Sequence, residues 1–194
     1  MKKRNIIFGF IASLILLLSY ILGSYRFFTE EYLKNIKYMN ISYKMTYIAI
    51  IPIILLIIYF LIMLTKKKNT RLTKVLMITV VIVNILIEIM AGINLYNLIS
   101  VIFNILLLVY LIKVWFIHKI PLNNKIIIIA FGIIIFTSII GNVYSIIDFM
   151  RHADLMSLSV SNSFIIALFS SVLSQIAYIL LAFYYNNLYS ESNI

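Results

Sequence analysis

The sequence predicts an all-α fold, a polytopic helical membrane bundle of six transmembrane helices arranged as three hairpins. Three observations carry that prediction. Hydrophobic residues make up 64% of the 194-residue chain, against roughly 45–50% in a soluble domain. They fall into six runs, each near the ~20 residues needed to cross a bilayer. Basic residues gather in the gaps between the runs. Six spans leave little chain for anything else, so residues 1–194 read as a single integral membrane domain.

The basic start, Met1 to Arg4, precedes a first span at 5–23. A secretory signal is the rival reading, but its apolar region is about 7–15 residues and ends in a small-residue cleavage site. This run is longer and lacks such a site, so a retained helix is expected. Gly9, Ala12, Ser13, Ser19 and Gly23 form a small-residue stripe along it, which reads as helix packing. Residues 26–44 follow as a polar loop. Thr29, Glu30 and Glu31 resemble a helix start, and Phe28, Tyr32, Ile36, Met39 and Tyr43 recur at spacings of three or four. The segment reads either as an interfacial helix or as an aromatic-rich loop.

The second span, 45–65, contains Pro52, which removes a backbone hydrogen bond and is expected to kink it. The strongest charge cluster, Lys66, Lys67, Lys68, Arg71 and Lys74, separates it from the third span, 75–91. A tight turn over Gly92 to Leu95 leads to the fourth, 96–117. His118, Lys119, Pro121 and Lys125 mark the next break. The fifth span, 126–147, and the sixth, 163–185, flank a polar loop over 148–162. About a dozen Leu, Ile, Phe and Val per span contribute roughly −5 kcal/mol to insertion.

Orientation follows from charge. With both termini cytoplasmic, the inside holds Lys2, Lys3, Arg4, Lys66, Lys67, Lys68, Arg71, Lys74, Lys113, Lys119 and Lys125. The outside holds only Arg26, Lys34, Lys37, Lys44 and Arg151, with the acids Glu30, Glu31, Asp148 and Asp154. That asymmetry satisfies the positive-inside rule and accounts for the net charge of +10 without nucleic acid as a partner. The abundance of Ile, Asn, Lys and Tyr suggests an AT-rich, bacterial genome, and the expected location is the cell membrane, multi-pass.

Polar residues inside the spans are the candidate site. Glu88 is the one acid well within an apolar run, where a charge costs up to about 2.5–3.5 kcal/mol. Asn84 shares its face, and Asn97, Ser100 and Asn104 share one face of the fourth span. Pairing about the 92–94 turn sets Glu88 near Asn97 and Asn84 near Ser100. This set reads either as a hydrogen-bonded clamp or as a proton-, cation- or polar-ligand site. A second set spans the last hairpin, with Ser138, Gly141, Asn142, Ser145 and Asp148 facing Ser163, Ala167, Ser170, Ser171, Ser174, Gln175 and Tyr178. It reads either as close helix packing or as an outward-opening polar cavity with Asn142 and Gln175 toward a ligand.

Several chemistries are excluded or disfavoured. With no cysteine there is no disulfide, thiolate nucleophile or Cys-bound metal. His118 and His152 fall on opposite sides of the membrane, so no metal site is expected, and no cofactor. There is no HExxH, GxSxG or phosphate-binding glycine loop. The adjacent Glu30 and Glu31 do not make a CAAX-type intramembrane protease, because no membrane histidines follow them. With five Gly and two Pro, the chain offers little material for the broken helices of an independent carrier. The expectation is a non-enzymatic membrane subunit for small-solute capture or transport, partnered by the bilayer and another membrane protein. The alternative is a membrane-embedded immunity, resistance or regulatory protein; an intramembrane enzyme comes a distant third.

Overall fold

A computed structural model describes residues 3–29, 48–66, 70–90, 95–116, 125–151 and 158–192. They form six α-helices, with no strand among the described residues: α1 (Lys3–Thr29), α2 (Ile50–Lys66), α3 (Arg71–Met90), α4 (Leu95–Trp115), α5 (Lys125–Arg151) and α6 (Leu158–Ser192). Five are long and apolar enough to cross a membrane, and α2 is a shorter apolar helix. The chain is a multi-pass helical membrane protein.

The helix ends depart from the expected spans for local reasons. Helix α1 continues to Thr29, so Arg26 to Thr29 extend a helix and do not open a loop; residues 30–44 lie outside the described residues. Helix α3 starts at Arg71, four residues ahead of the expected Val75, because Thr70 caps it. The Thr73 backbone N–H donates to Thr70 Oγ1 at 3.3 Å, and Thr73 Oγ1 donates to the Thr70 carbonyl at 2.8 Å. Arg71 and Lys74 therefore lie on the first turns of the helix. Helices α5 and α6 run on to Arg151 and back to Leu158, which shortens the expected 148–162 loop from both sides. The 91–94 turn and both histidines lie outside the described residues.

The helical run is interrupted just ahead of Pro52. Ile48 is helical, Ala49 is a turn, and α2 begins at Ile50 with Pro52 in its first turn. Proline at residue 52 cannot donate to the Ile48 carbonyl and its ring crowds that oxygen, so the helix restarts there. The resulting 17-residue α2 is roughly 25 Å long, somewhat under the ~30 Å hydrocarbon core.

Consecutive helices pack against each other through the whole series, and α1 closes the circle against α6 in the most extensive contact of all. The small-residue stripe of α1 makes that closure possible. Ala12 and Ser13 are fully buried, and Gly23 lies where a Cβ would come within 2.9 Å of Ser170 Oγ. Gly9 faces α2, where its bare backbone admits the Phe60 ring. The outward faces carry Ile11, Leu14, Leu18 and Ile21 on α1 and Ile51, Ile54, Ile58 and Leu61 on α2, all exposed. In lipid that exposure carries no penalty, since acyl chains are as apolar as leucine.

The half of the bundle around the start of α3 and the end of α4 is filled by aromatic rings. Tyr59, Phe60, Tyr110 and Tyr184 are completely buried, and Tyr185 nearly so. Phe60 meets Tyr59 and Tyr184 edge-on, with centroids 5.0 and 4.9 Å apart. The buried hydroxyls are satisfied: Tyr59 and Tyr184 hydrogen-bond to each other, Tyr110 donates to the Tyr185 carbonyl, and Tyr185 donates to Met77 Sδ at 3.7 Å. Without such partners a hydroxyl has no place in a low-dielectric interior.

Candidate functional site

Above the aromatic layer, toward the end of α3 and the start of α4, the packing opens into a cavity of about 190 Å³. All six helices reach it. Leu16 comes from α1, Pro52 and Leu56 from α2, Asn84 and Glu88 from α3, Ser100, Phe103 and Asn104 from α4, Phe131 and Ile134 from α5, and Tyr178 and Tyr185 from α6. Tyr185 joins cavity to aromatic layer: its ring stacks on Phe131 at 5.7 Å, and Phe131 meets Phe103 edge-on at 4.8 Å. An apolar cavity of ~150 Å³ accommodates benzene, so this space suits a solute of comparable or slightly larger size.

The polar wall belongs to α3 and α4. Ser100 Oγ donates to Glu88 Oε1 at 2.9 Å, and Asn104 Nδ2 donates to the Ser100 carbonyl at 3.0 Å. The sequence register set Glu88 near Asn97, whose side chain lies outside the described residues; the partner the structure gives it is Ser100, one turn further along α4. The reason is the direction of helical side chains, which lean toward the N-terminus of their own helix. Glu88 leans into the bundle from the end of α3 and so meets Ser100. Asn84 shares the cavity with Ser100 without a hydrogen bond between them. Of Asn97 the structure describes the backbone, in the first turn of α4.

The hydrogen-bonding capacity of this wall is uneven. The Ser100 hydroxyl proton and one Asn104 N–H are engaged. Among the described residues, the second Glu88 oxygen, the Asn104 side-chain carbonyl and the Asn84 amide have no partner. No described lining residue is basic.

Of the second sequence-derived set, Tyr178 lines this cavity and the other described members do not. Gln175 Nε2 donates to Ser138 Oγ at 3.0 Å, the Ser138 and Ser171 hydroxyls lie 3.3 Å apart, and Ser174 Oγ returns to the Ser171 carbonyl at 2.7 Å. These residues join α5 to α6 side by side. Asn142 is half-buried and Ser145 is exposed. From Ile139 to Asp148 every residue except Asn142 is exposed, so this end of α5 has helix α6 as a neighbour on little of its circumference. The contact between the two helices near their loop is a face-to-face stack of Phe149 on Phe164 at 4.2 Å.

Sequence reasoning named Tyr178 with the last hairpin but missed the rest of the apolar wall. Phe103, Phe131 and Tyr185 come from three helices, and nothing local distinguishes them from lipid-facing aromatics. The tyrosines carried the one available signal, since a phenol in mid-span needs a partner within the protein.

No family model, curated protein or solved structure matches the chain.

Proposed function

We propose that this chain is a non-enzymatic subunit of the cell membrane that captures a small solute in the central cavity and serves a transport complex. The observation that carries the proposal is the cavity itself, to which every helix contributes and whose polar groups converge from α3 and α4. A purely structural clamp has no need of free acceptors beside an open space. Packing density in protein interiors normally leaves few voids larger than a water molecule. The charge asymmetry of the loops supports an orientation with both termini cytoplasmic, which sets the cavity in the outer half of the membrane.

The exposed end of α5 supports a protein partner. Tyr144 and Ser145 stand on a helix face that the other described residues leave uncovered. The same surface is what an immunity or regulatory protein of the membrane would use to bind its target, and it keeps that second reading in play.

Purification from native membranes followed by native mass spectrometry tests the proposal. The expected result is a mass increment from a small solute, lost when Leu107→Trp, at a lining residue of α4, fills the cavity, together with a stoichiometric membrane partner. A bare protein whose spectrum is unchanged by Leu107→Trp overturns solute capture. A partner without any solute transfers the weight to the regulatory reading.

A further inference from the structure

We propose that the solute is a small organic cation with an ammonium head and an apolar, preferably aromatic, body; this rests on the capture reading above. The inference comes from the balance of donors and acceptors. Among the described residues the wall leaves three acceptor oxygens open, the second oxygen of Glu88 and the side-chain carbonyls of Asn104 and Asn84, beside the amide N–H groups of Asn84 and the second N–H of Asn104. An anion or a plain ether can accept from the amide N–H groups but leaves the Glu88 oxygen without a donor. A primary ammonium brings three N–H donors and a positive charge.

Charge points the same way. Glu88 stands in the last turn of α3, where the helix dipole is negative and does not favour a carboxylate. No Lys, Arg or His pairs with it among the described residues. A charge removed from water needs a counter-charge or it is not retained as a charge. A cationic solute supplies that counter-charge at an acid that the described residues leave without one. The remaining wall is made for the other end of such a molecule. Phe103, Phe131 and Tyr178 offer ring faces and edges to an apolar body, and ring faces also attract a cation directly.

The test is isothermal titration calorimetry on the full chain in lipid nanodiscs, with three probes of one size: phenethylammonium, 2-phenylethanol and phenylacetate. The expected result is saturable phenethylammonium binding, tighter than that of the alcohol by about tenfold or more, with phenylacetate weakest. Glu88→Gln should remove most of that preference while leaving the alcohol within about threefold of its wild-type affinity. Glu88→Asp, which keeps the charge, should retain a preference for the ammonium. Thermal unfolding of both variants separates loss of binding from loss of fold. Equal affinity for ammonium and alcohol, or a Glu88→Gln variant that binds the ammonium like the wild type, overturns the cationic class and leaves solute capture standing. Absence of saturable binding for all three probes also overturns the class. Solute capture is then decided separately by the native mass spectra.

Discussion

Ser19 on the first helix and Ser170 on the last exchange hydrogen bonds, each hydroxyl donating to the other's backbone carbonyl at 2.8 Å. The two hydroxyl oxygens lie 3.3 Å apart, and both residues are buried. The pair closes the helical circle between segments 151 residues apart in sequence. Because each acceptor is backbone, alanine at one position leaves the reciprocal bond available. Ser19→Ala and Ser170→Ala should therefore each cost about 0.6 kcal/mol, up to ~1.7, and should add with little coupling. A double-mutant cycle on denaturant unfolding measures this. Strong coupling would mean that the contact between the two hydroxyls carries the interaction.

The glycines divide sharply. A methyl group at Gly9 would overlap the Phe60 ring, whereas nothing stands within 4 Å of a Cβ at Gly132 or Gly141. Gly9→Ala should destabilise by about 1–3 kcal/mol. Combining it with Phe60→Leu should recover part of the loss. Gly132→Ala and Gly141→Ala should be neutral or stabilising by up to about 1 kcal/mol, from helix propensity alone. Thermal unfolding of the four variants ranks them, and a neutral Gly9→Ala would refute this packing.

The Tyr59 and Tyr184 hydroxyls serve as each other's partner, while Tyr110 donates to a backbone carbonyl. Tyr59→Phe and Tyr184→Phe should each destabilise by about 1 kcal/mol, because each strands the remaining hydroxyl. The double variant should be no worse than either single one. Tyr110→Phe should lose about 0.6 kcal/mol and show no coupling to either. Additive losses at Tyr59 and Tyr184 would count against their pairing.

Orientation is open to cysteine labelling, since the chain has no native cysteine. With both termini cytoplasmic, Lys34→Cys should react with an impermeant maleimide added to intact cells. Lys67→Cys should react only after the membrane is opened. The reverse pattern would invert the proposed topology and put the cavity in the inner half.

Glu88→Gln should leave the fold intact. A glutamine oxygen still accepts from the Ser100 hydroxyl, so the change in stability should fall within about 1 kcal/mol. A large loss of folded protein in nanodiscs would show that the carboxyl holds the α3–α4 hairpin together.

Six apolar runs and the basic residues between them determined that this chain is a helical membrane bundle, because backbone in lipid must satisfy its own hydrogen bonds. The same local reasoning singled out Glu88, Asn84, Ser100 and Asn104, since an acid or amide within an apolar run is conspicuous at any register. It identified the small stripe of α1 as a packing face without showing that its partner is α6. Helical spacing says which residues share a face, and is silent on what that face meets. Only the tertiary structure decided that Glu88 bonds Ser100, because the lean of a side chain sets which turn of the facing helix it meets. Only it separated two sets of polar residues that look alike in sequence, spending Gln175, Ser138 and Ser171 on each other and leaving Glu88, Asn84 and Asn104 beside a cavity. The cavity itself exists because aromatic side chains from different helices stop short of filling the centre, and that is a property of how the helices close, not of any one of them.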